Sequence, residues 1–437
     1  MKVTVIGAGL AGCEAAWQIV SRGIAVNLYE MKPTKQTPAH VSPDFAELVC
    51  SNSLRSDSLS NAPGLLKEEM RKLNSLIINC ADKTRVPAGS ALAVDRQKFS
   101  AMVTENIKNH PLINIIEREV TEIPKEGKVI IATGPLTSDN FANKLAQLFA
   151  DEKFLSFYDA AAPIVSFDSI DMENAYFASR YGKGDADYIN CPMSLEEYSA
   201  FHSELIYARE AEVHDFEDSK VFEGCIPIEV MARRGIDTMR FGPLKPVGLP
   251  DPKTGKDPYA VVQLRKDNIE GTLYNLVGFQ THLKFSEQKR VFSKIPALKS
   301  AEFMRYGVMH RNTYINSPKT LDRYNRLRSD SRIRFAGQIT GVEGYIESAA
   351  SGLLTGIETA RELLGKAPLD FPQKTAIGAL ALYISESATS NFQPMNINFG
   401  IIEPISGKFK SKQSKNTEIS LRALEAIDLL FSERSMP

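Results

Sequence analysis

The chain has little cysteine, almost no tryptophan and no excess of either charge: five Cys, one Trp and a formal net charge of −1 in 437 residues. Each shortage excludes something. Cys13, Cys50, Cys80, Cys191 and Cys225 are odd in number and form no CxxC, so neither a disulfide framework nor a zinc site is expected, and a cytoplasmic location is. Near-zero net charge removes any global electrostatic case for nucleic acid, and an RNA contact has to come from local patches. No apolar run approaches the roughly 18–20 residues that a membrane helix needs. The apolar N-terminal stretch is broken by glycines and carries Glu14, which reads as strand and helix, not as a signal peptide. No HxxxH and no carboxylate cluster suggests a metal. What remains is ordinary for a globular protein, 43% hydrophobic and 24% charged, at a length that fits two or three domains.

The first thirty residues are the most informative. Lys2–Ile6 is a short β-rich run, followed by the turn Gly7-Ala8-Gly9-Leu10-Ala11-Gly12. A helix over Cys13–Arg22, stopped by Gly23, leads to a second strand, Ala25–Tyr29, ending on Glu30. In such a βαβ unit the first glycine permits the tight turn, the second lets backbone approach a pyrophosphate, and the third lets helix and strand pack closely. The helix start offers free N–H groups and the positive dipole end to the phosphates. Glu30, 18 residues beyond Gly12, suits ribose hydroxyls and argues against a 2′-phosphate.

Residues 33–64, rich in Pro, Ser, Asn and Asp, read as a long loop, a feature that compact domains reserve for function. Helical patterns cover 64–76 and 96–108, and Lys128–Ile131 is a strand that ends in Ala132-Thr133-Gly134. From about residue 166 short strands mix with turns, and Arg332–Ala336 restores the strand-then-glycine pattern ahead of a helix over 344–364. The expected fold class is α/β: a Rossmann-type FAD-binding domain built from 1–165 and 305–437, with an inserted α+β domain at 166–304. The stretch at Gly134 resembles the strand-to-ATG segment of two-dinucleotide flavoproteins, and Phe335-Ala336-Gly337-Gln338 resembles their second flavin-contacting segment, with Gln338 where an Asp is usual. There is no second GxGxxG, so one dedicated dinucleotide site is expected, with NAD(P)H as a visitor. The expected FAD-binding residues are Gly7, Ala8, Gly9, Leu10, Ala11, Gly12, Glu30, Gly134, Gly337, Gln338 and Gly341.

Further stretches carry a specific likeness: Val49-Cys50-Ser51-Asn52-Ser53-Leu54-Arg55-Ser56, Phe222-Glu223-Gly224-Cys225-Ile226-Pro227, the run Phe241–Leu249, Gly337–Tyr345, and Phe392-Gln393-Pro394-Met395-Asn396. With Gly7–Glu30 they span nearly the whole chain. The sequence resembles the folate- and FAD-dependent tRNA uracil-5-methyltransferases, relatives of the GidA/MnmG tRNA-modification flavoproteins. The resemblance implies methylation of uracil C5 in tRNA, at the T-loop uridine. Carbon would come from 5,10-methylenetetrahydrofolate, electrons from reduced FAD, and flavin reduction from NADPH or NADH. The same chemistry on ribosomal RNA, and a flavin oxidoreductase acting on a small molecule, are the competing readings.

That reaction needs a thiolate at uracil C6 and a base for the C5 proton. The resemblance gives these roles to Cys50 and Cys225; Cys225 is read as nucleophile and Cys50 as base, an order that the sequence leaves open. It also implies that His282 stacks on the folate pterin and that Tyr345 lines the folate or uracil site. Two basic patches are candidates for RNA phosphates: Arg233, Arg234, Arg240 and Lys245 after Cys225, and Lys408, Lys410, Lys412 and Lys415 near the end.

Overall fold

The apolar runs Lys2–Ile6, Ala25–Glu30 and Lys128–Ile131 become neighbouring strands because a parallel sheet covered on both faces is where near-continuous hydrophobic strands are satisfied. The computed structural model describes residues 2–37, 39–149, 155–182, 185–211, 226–307, 309–387 and 392–433. The sheet has five parallel strands in the order Ile333–Phe335, Lys128–Ile131, Lys2–Ile6, Ala25–Glu30, Ile113–Glu117. Val5 and Ile130 point into the main core, whereas Ile6, Val129 and Ile131 face a smaller cluster with Phe141 and Leu145. The chain leaves Lys2–Ile6 in one direction and returns to its other side with Lys128–Ile131. The carboxyl end of the first strand is therefore the topological switch point, where open α/β sheets form their ligand crevice.

The helix Leu10–Val20 packs against Tyr345–Leu363 almost backbone to backbone. A Cβ at Gly352 would overlap the Ala11 carbonyl oxygen, and one at Gly356 would lie 2.6 Å from that of Ala15. Glycine is required at both positions for contact rather than for conformation. The first helix begins at Leu10, earlier than expected, because the glycine turn is itself the helix start: Cys13 N–H already donates to Gly9 O at 3.0 Å.

A second sheet of six antiparallel strands uses residues between Ile164 and Arg305 and encloses its own apolar core. The strands Leu155–Ala160 and Met309–Tyr314 pair antiparallel where the chain passes between the two sheets. The long loop at 33–64 is interrupted by a strand, Ser53–Ser56, paired with Ala91–Val94. The helical pattern at 64–76 divides into Ala62–Lys72 and Leu76–Lys83. The break falls at Asn74, which takes a left-handed φ of 53°, and at Ser75, whose hydroxyl accepts from Ile78 N–H at 3.2 Å. Among the described residues no helix is long and apolar enough to cross a membrane.

Candidate active site

The glycine turn lies at the switch point, and its three glycines do different work. Gly7 has φ +100°, and a Cβ there would meet the Ala132 carbonyl oxygen at 2.5 Å. A Cβ at Gly12 would overlap the Gly7 carbonyl, so this glycine serves packing and does not line the cavity. Gly9 has nothing within 4 Å of a Cβ position. Its open side faces a cavity of about 320 Å³ that also takes in Gly7, Ala8, Leu10, Ala11, Glu30, Gly134, Gly337 and Gln338. Glu30 is buried at the end of its strand, where its carboxylate accepts from Ala8 N–H at 2.7 Å and Lys32 N–H at 2.9 Å. An open glycine at a helix start, with a fixed carboxylate one strand away, fits a pyrophosphate with a neighbouring ribose.

Gly341 is not on the cavity wall. It has φ +86°, and a side chain there would overlap the Phe392 ring. The adjoining turn is bonded to the late segment: Met395 N–H donates to Gly341 O at 3.1 Å, and Glu343 N–H to Met395 O at 2.9 Å. Gln338 Nε2 donates to Glu343 at 2.7 Å.

Cys50 lines the same cavity as the glycine turn. The Tyr345 hydroxyl accepts from Cys50 N–H at 2.7 Å and Ser51 N–H at 3.1 Å. Burial, and then the neighbouring Cys50 thiol, raise the Tyr345 phenol above its ordinary value, so it stays protonated. The next residues are held from the second sheet. Arg265 donates to Ser51 Oγ at 2.8 Å and Asn52 Oδ1 at 3.0 Å, and Asn52 Nδ2 donates to Lys266 O at 2.8 Å. Buried Lys67, pushed down to about 7 by desolvation, donates to Leu54 O at 2.9 Å and Ser56 O at 2.7 Å. Arg55 is ion-paired with Glu347. Arg265 and Lys67 gave no sequence signal, since each is one of several cations in an otherwise unremarkable strand or helix.

Cys225 lies outside the described residues. His282, just before the helix Phe285–Phe292, is on no strand and does not line the cavity. Its backbone N–H donates to Glu229 at 2.7 Å, and its Nδ1 is 3.9 Å from the same carboxylate. The two do not form an ion pair at neutral pH. Desolvation drives His282 down to about 4 and Glu229 up to about 7, so the imidazole is neutral. His282 Nε2 is buried and has no partner among the described residues.

The pair predicts a pH effect. Glu229 contributes stability fully below 4.5 and loses it as pH rises toward about 7; His282 contributes above 6.5 and loses it as pH falls toward about 4. The two oppose each other between 4.5 and 6.5. Glu229→Gln should therefore make thermal stability climb more steeply with pH across that window. Thermal unfolding of both proteins at several pH values checks this; equal slopes would refute it.

The first basic patch is only partly available. Arg240 stacks over the Tyr259 ring at 3.6 Å and pairs with Asp237, and Arg233 pairs with Glu210. Lys245 is exposed, as are Lys408, Lys410, Lys412 and Lys415. Among the described residues no group of three or more His, Cys, Asp or Glu could hold a metal ion.

A parallel sheet, a glycine turn at its switch point and a ribose-sized carboxylate at the next strand end define a Rossmann-type dinucleotide-binding protein. Its sequence relatives make this narrower. Residues 2–367 match the family model described as glucose inhibited division protein A, GIDA. The methylenetetrahydrofolate–tRNA-(uracil-5-)-methyltransferase TrmFO of Acetivibrio thermocellus is 62% identical over 433 residues, 99% of each chain. The protein of the same name from Lactobacillus johnsonii is 58% identical over 435 residues, 100% of this chain and 99% of its own. Crystalline GidA of Aquifex aeolicus shares the fold, with a TM-score of 0.70 at 16% identity over 98% of this chain and 73% of that one. The chain belongs to the GidA family, on the branch of these tRNA (uracil-5-)-methyltransferases.

Proposed function

We propose that this chain methylates C5 of a uracil in tRNA, with 5,10-methylenetetrahydrofolate as carbon donor and FAD as its bound cofactor. The observation that carries this reading is Cys50 on the wall of the dinucleotide cavity, in a chain about 60% identical from end to end to enzymes bearing that name. Gly7 to Ala11, Glu30, Gly134, Gly337 and Gln338 would hold FAD, with Gly12 and Gly341 shaping the turns behind it. Bound FAD supplies, once reduced, the electrons that complete the methyl group.

The chain's own part is acid–base and nucleophilic. A thiolate adds to uracil C6, which makes C5 nucleophilic toward the one-carbon unit; a base then removes the C5 proton as tetrahydrofolate leaves the new carbon, and, once that methylene has been reduced to methyl, loss of the thiolate frees the product. We take Cys225 as the thiolate and Cys50 as the base, with Tyr345 fixing the backbone of Cys50. His282 faces the folate in this reading. NADPH or NADH is the reductant, the T-loop uridine the target and the cytoplasm the location. Of the basic residues, Lys245 and the 408–415 lysines are the ones we expect on RNA phosphates.

The test is methyl transfer to unmodified tRNA with methylenetetrahydrofolate and NAD(P)H, followed by mass mapping of 5-methyluridine. Product in the T-loop is expected. No product in tRNA would overturn the reading, and product only in ribosomal RNA would reassign the target. Binding to tRNA should weaken steeply with salt.

A further inference from the structure

Asn312 belongs to no motif, yet it is an anomalous polar group in the cavity wall. It stands on the strand Met309–Tyr314, where Thr313 N–H donates to Pro135 O at 3.1 Å and Ile315 N–H, just beyond the strand, donates to Ile339 O at 2.9 Å. These bonds fix its place between the Gly134 segment and the turn that follows Gly337. The residue is 1% exposed, and its Oδ1 is a buried acceptor with no donor among the described residues. It lines the dinucleotide cavity together with Gly337 and Gln338. Buried polar atoms without partners are rare, and each calls for a ligand, a water or a strained fold to explain it.

The chemistry of the missing partner is restricted. A carboxamide oxygen needs a proton donor. Pyrophosphate oxygens are ionised at neutral pH and have no proton to give. The adenosine hydroxyls and the adenine amino group do, but Glu30 marks the adenosine end of the cavity, at the glycine turn and the next strand end, whereas Asn312 is bonded to the Gly337 side. The donors left in the dinucleotide are the ribityl hydroxyls and the ring N–H of its flavin half.

We propose that Asn312 is a positioning residue for the cofactor, its side-chain oxygen accepting a hydrogen bond from the ribityl–isoalloxazine half of FAD. This rests on the reading of the cavity as an FAD site. Asn312 then completes its hydrogen bonding only when the cofactor is bound, and it orients the flavin half without contributing to the grip on the adenosine half.

The experiment compares wild-type full-length protein with Asn312→Leu, which keeps the shape and removes the acceptor. Cofactor-free Asn312→Leu should melt at or above the wild-type temperature, because no buried acceptor is left unmet. Its affinity for FAD, from fluorescence titration, should fall roughly three- to tenfold, the loss of one hydrogen bond. Its affinity for ADP, which lacks the flavin half, should be unchanged. Equal FAD affinity in the two proteins, or an ADP affinity that falls in parallel, overturns the role of Asn312. Wild-type protein that takes up no FAD overturns the reading of the cavity instead. Should the Leu variant not fold, Asn312→Asp replaces it: a carboxylate near the flavin should make its reduction potential more negative, and an unchanged potential overturns the proposal.

Discussion

Cys50→Ala is expected to lower the rate of methyl transfer by a factor of about 10²–10⁴, the usual contribution of a positioned general base, while FAD stays bound. The reason to expect bound cofactor is structural. The loop around Cys50 is held by the N–H groups of Cys50 and Ser51 on Tyr345 and by Arg265 on Ser51 and Asn52, contacts that do not use the sulfur. Removing the thiol therefore takes away chemistry and leaves these anchors of the loop in place. Cys225→Ala should be equally inactive. The two are separated by RNA carrying 5-fluorouracil at the target, which cannot release its C5 substituent as a proton. The variant that still forms a covalent RNA adduct has kept the nucleophile. Wild-type turnover by either variant would remove that cysteine from the mechanism.

The second large effect concerns two glycines three residues apart. Gly9 has extended backbone angles, φ −73° and ψ −170°, and open space where a side chain would project. Gly9→Val should therefore fold normally and lose FAD affinity on the order of 100-fold, equivalent to about 2.7 kcal/mol, because the valine occupies the pyrophosphate position. Gly12→Ala should do the reverse. Its methyl group overlaps the Gly7 carbonyl, so the turn must move, at a cost of about 1–3 kcal/mol in stability. Chemical denaturation and FAD titration, run on both variants, should show opposite profiles. A destabilised Gly9→Val with intact FAD binding would mean that the cofactor approaches from elsewhere.

Much of this site was legible because its determinants are local. The βαβ opening needs glycines and an acidic residue at fixed spacing, and the helix Arg96–Lys108 has its Asp95 cap written beside it, accepting from Lys98 N–H at 3.0 Å. The strand Ser53–Ser56 was not legible: Leu54 is its one apolar residue, and it exists because Ala91–Val94 offers an edge. The division at Asn74 turns on one left-handed residue inside an unbroken helical pattern. Charge counting found a basic patch at 233–245 but could not see Tyr259 beneath Arg240 or Glu210 beside Arg233, because partners distant in sequence leave no trace in spacing. Arg265 on the Cys50 loop and Asn312 in the cavity wall were missed for the same reason.

The contact of Ala11 and Ala15 with Gly352 and Gly356 has a consequence for how the protein is made. The helix that presents the glycine turn leaves the ribosome more than three hundred residues before the surface it rests on, which is not complete until Gly356. Throughout that interval the face of the Leu10–Val20 helix that will meet Tyr345–Leu363 has no mate, although Glu14 and Gln18 on its other side can already bond to residues 73–77. A truncated gene product ending near residue 165 would carry the entire glycine fingerprint and still expose that face to water. It should accumulate as insoluble material, whereas the full chain buries the same surface on its own C-terminal third.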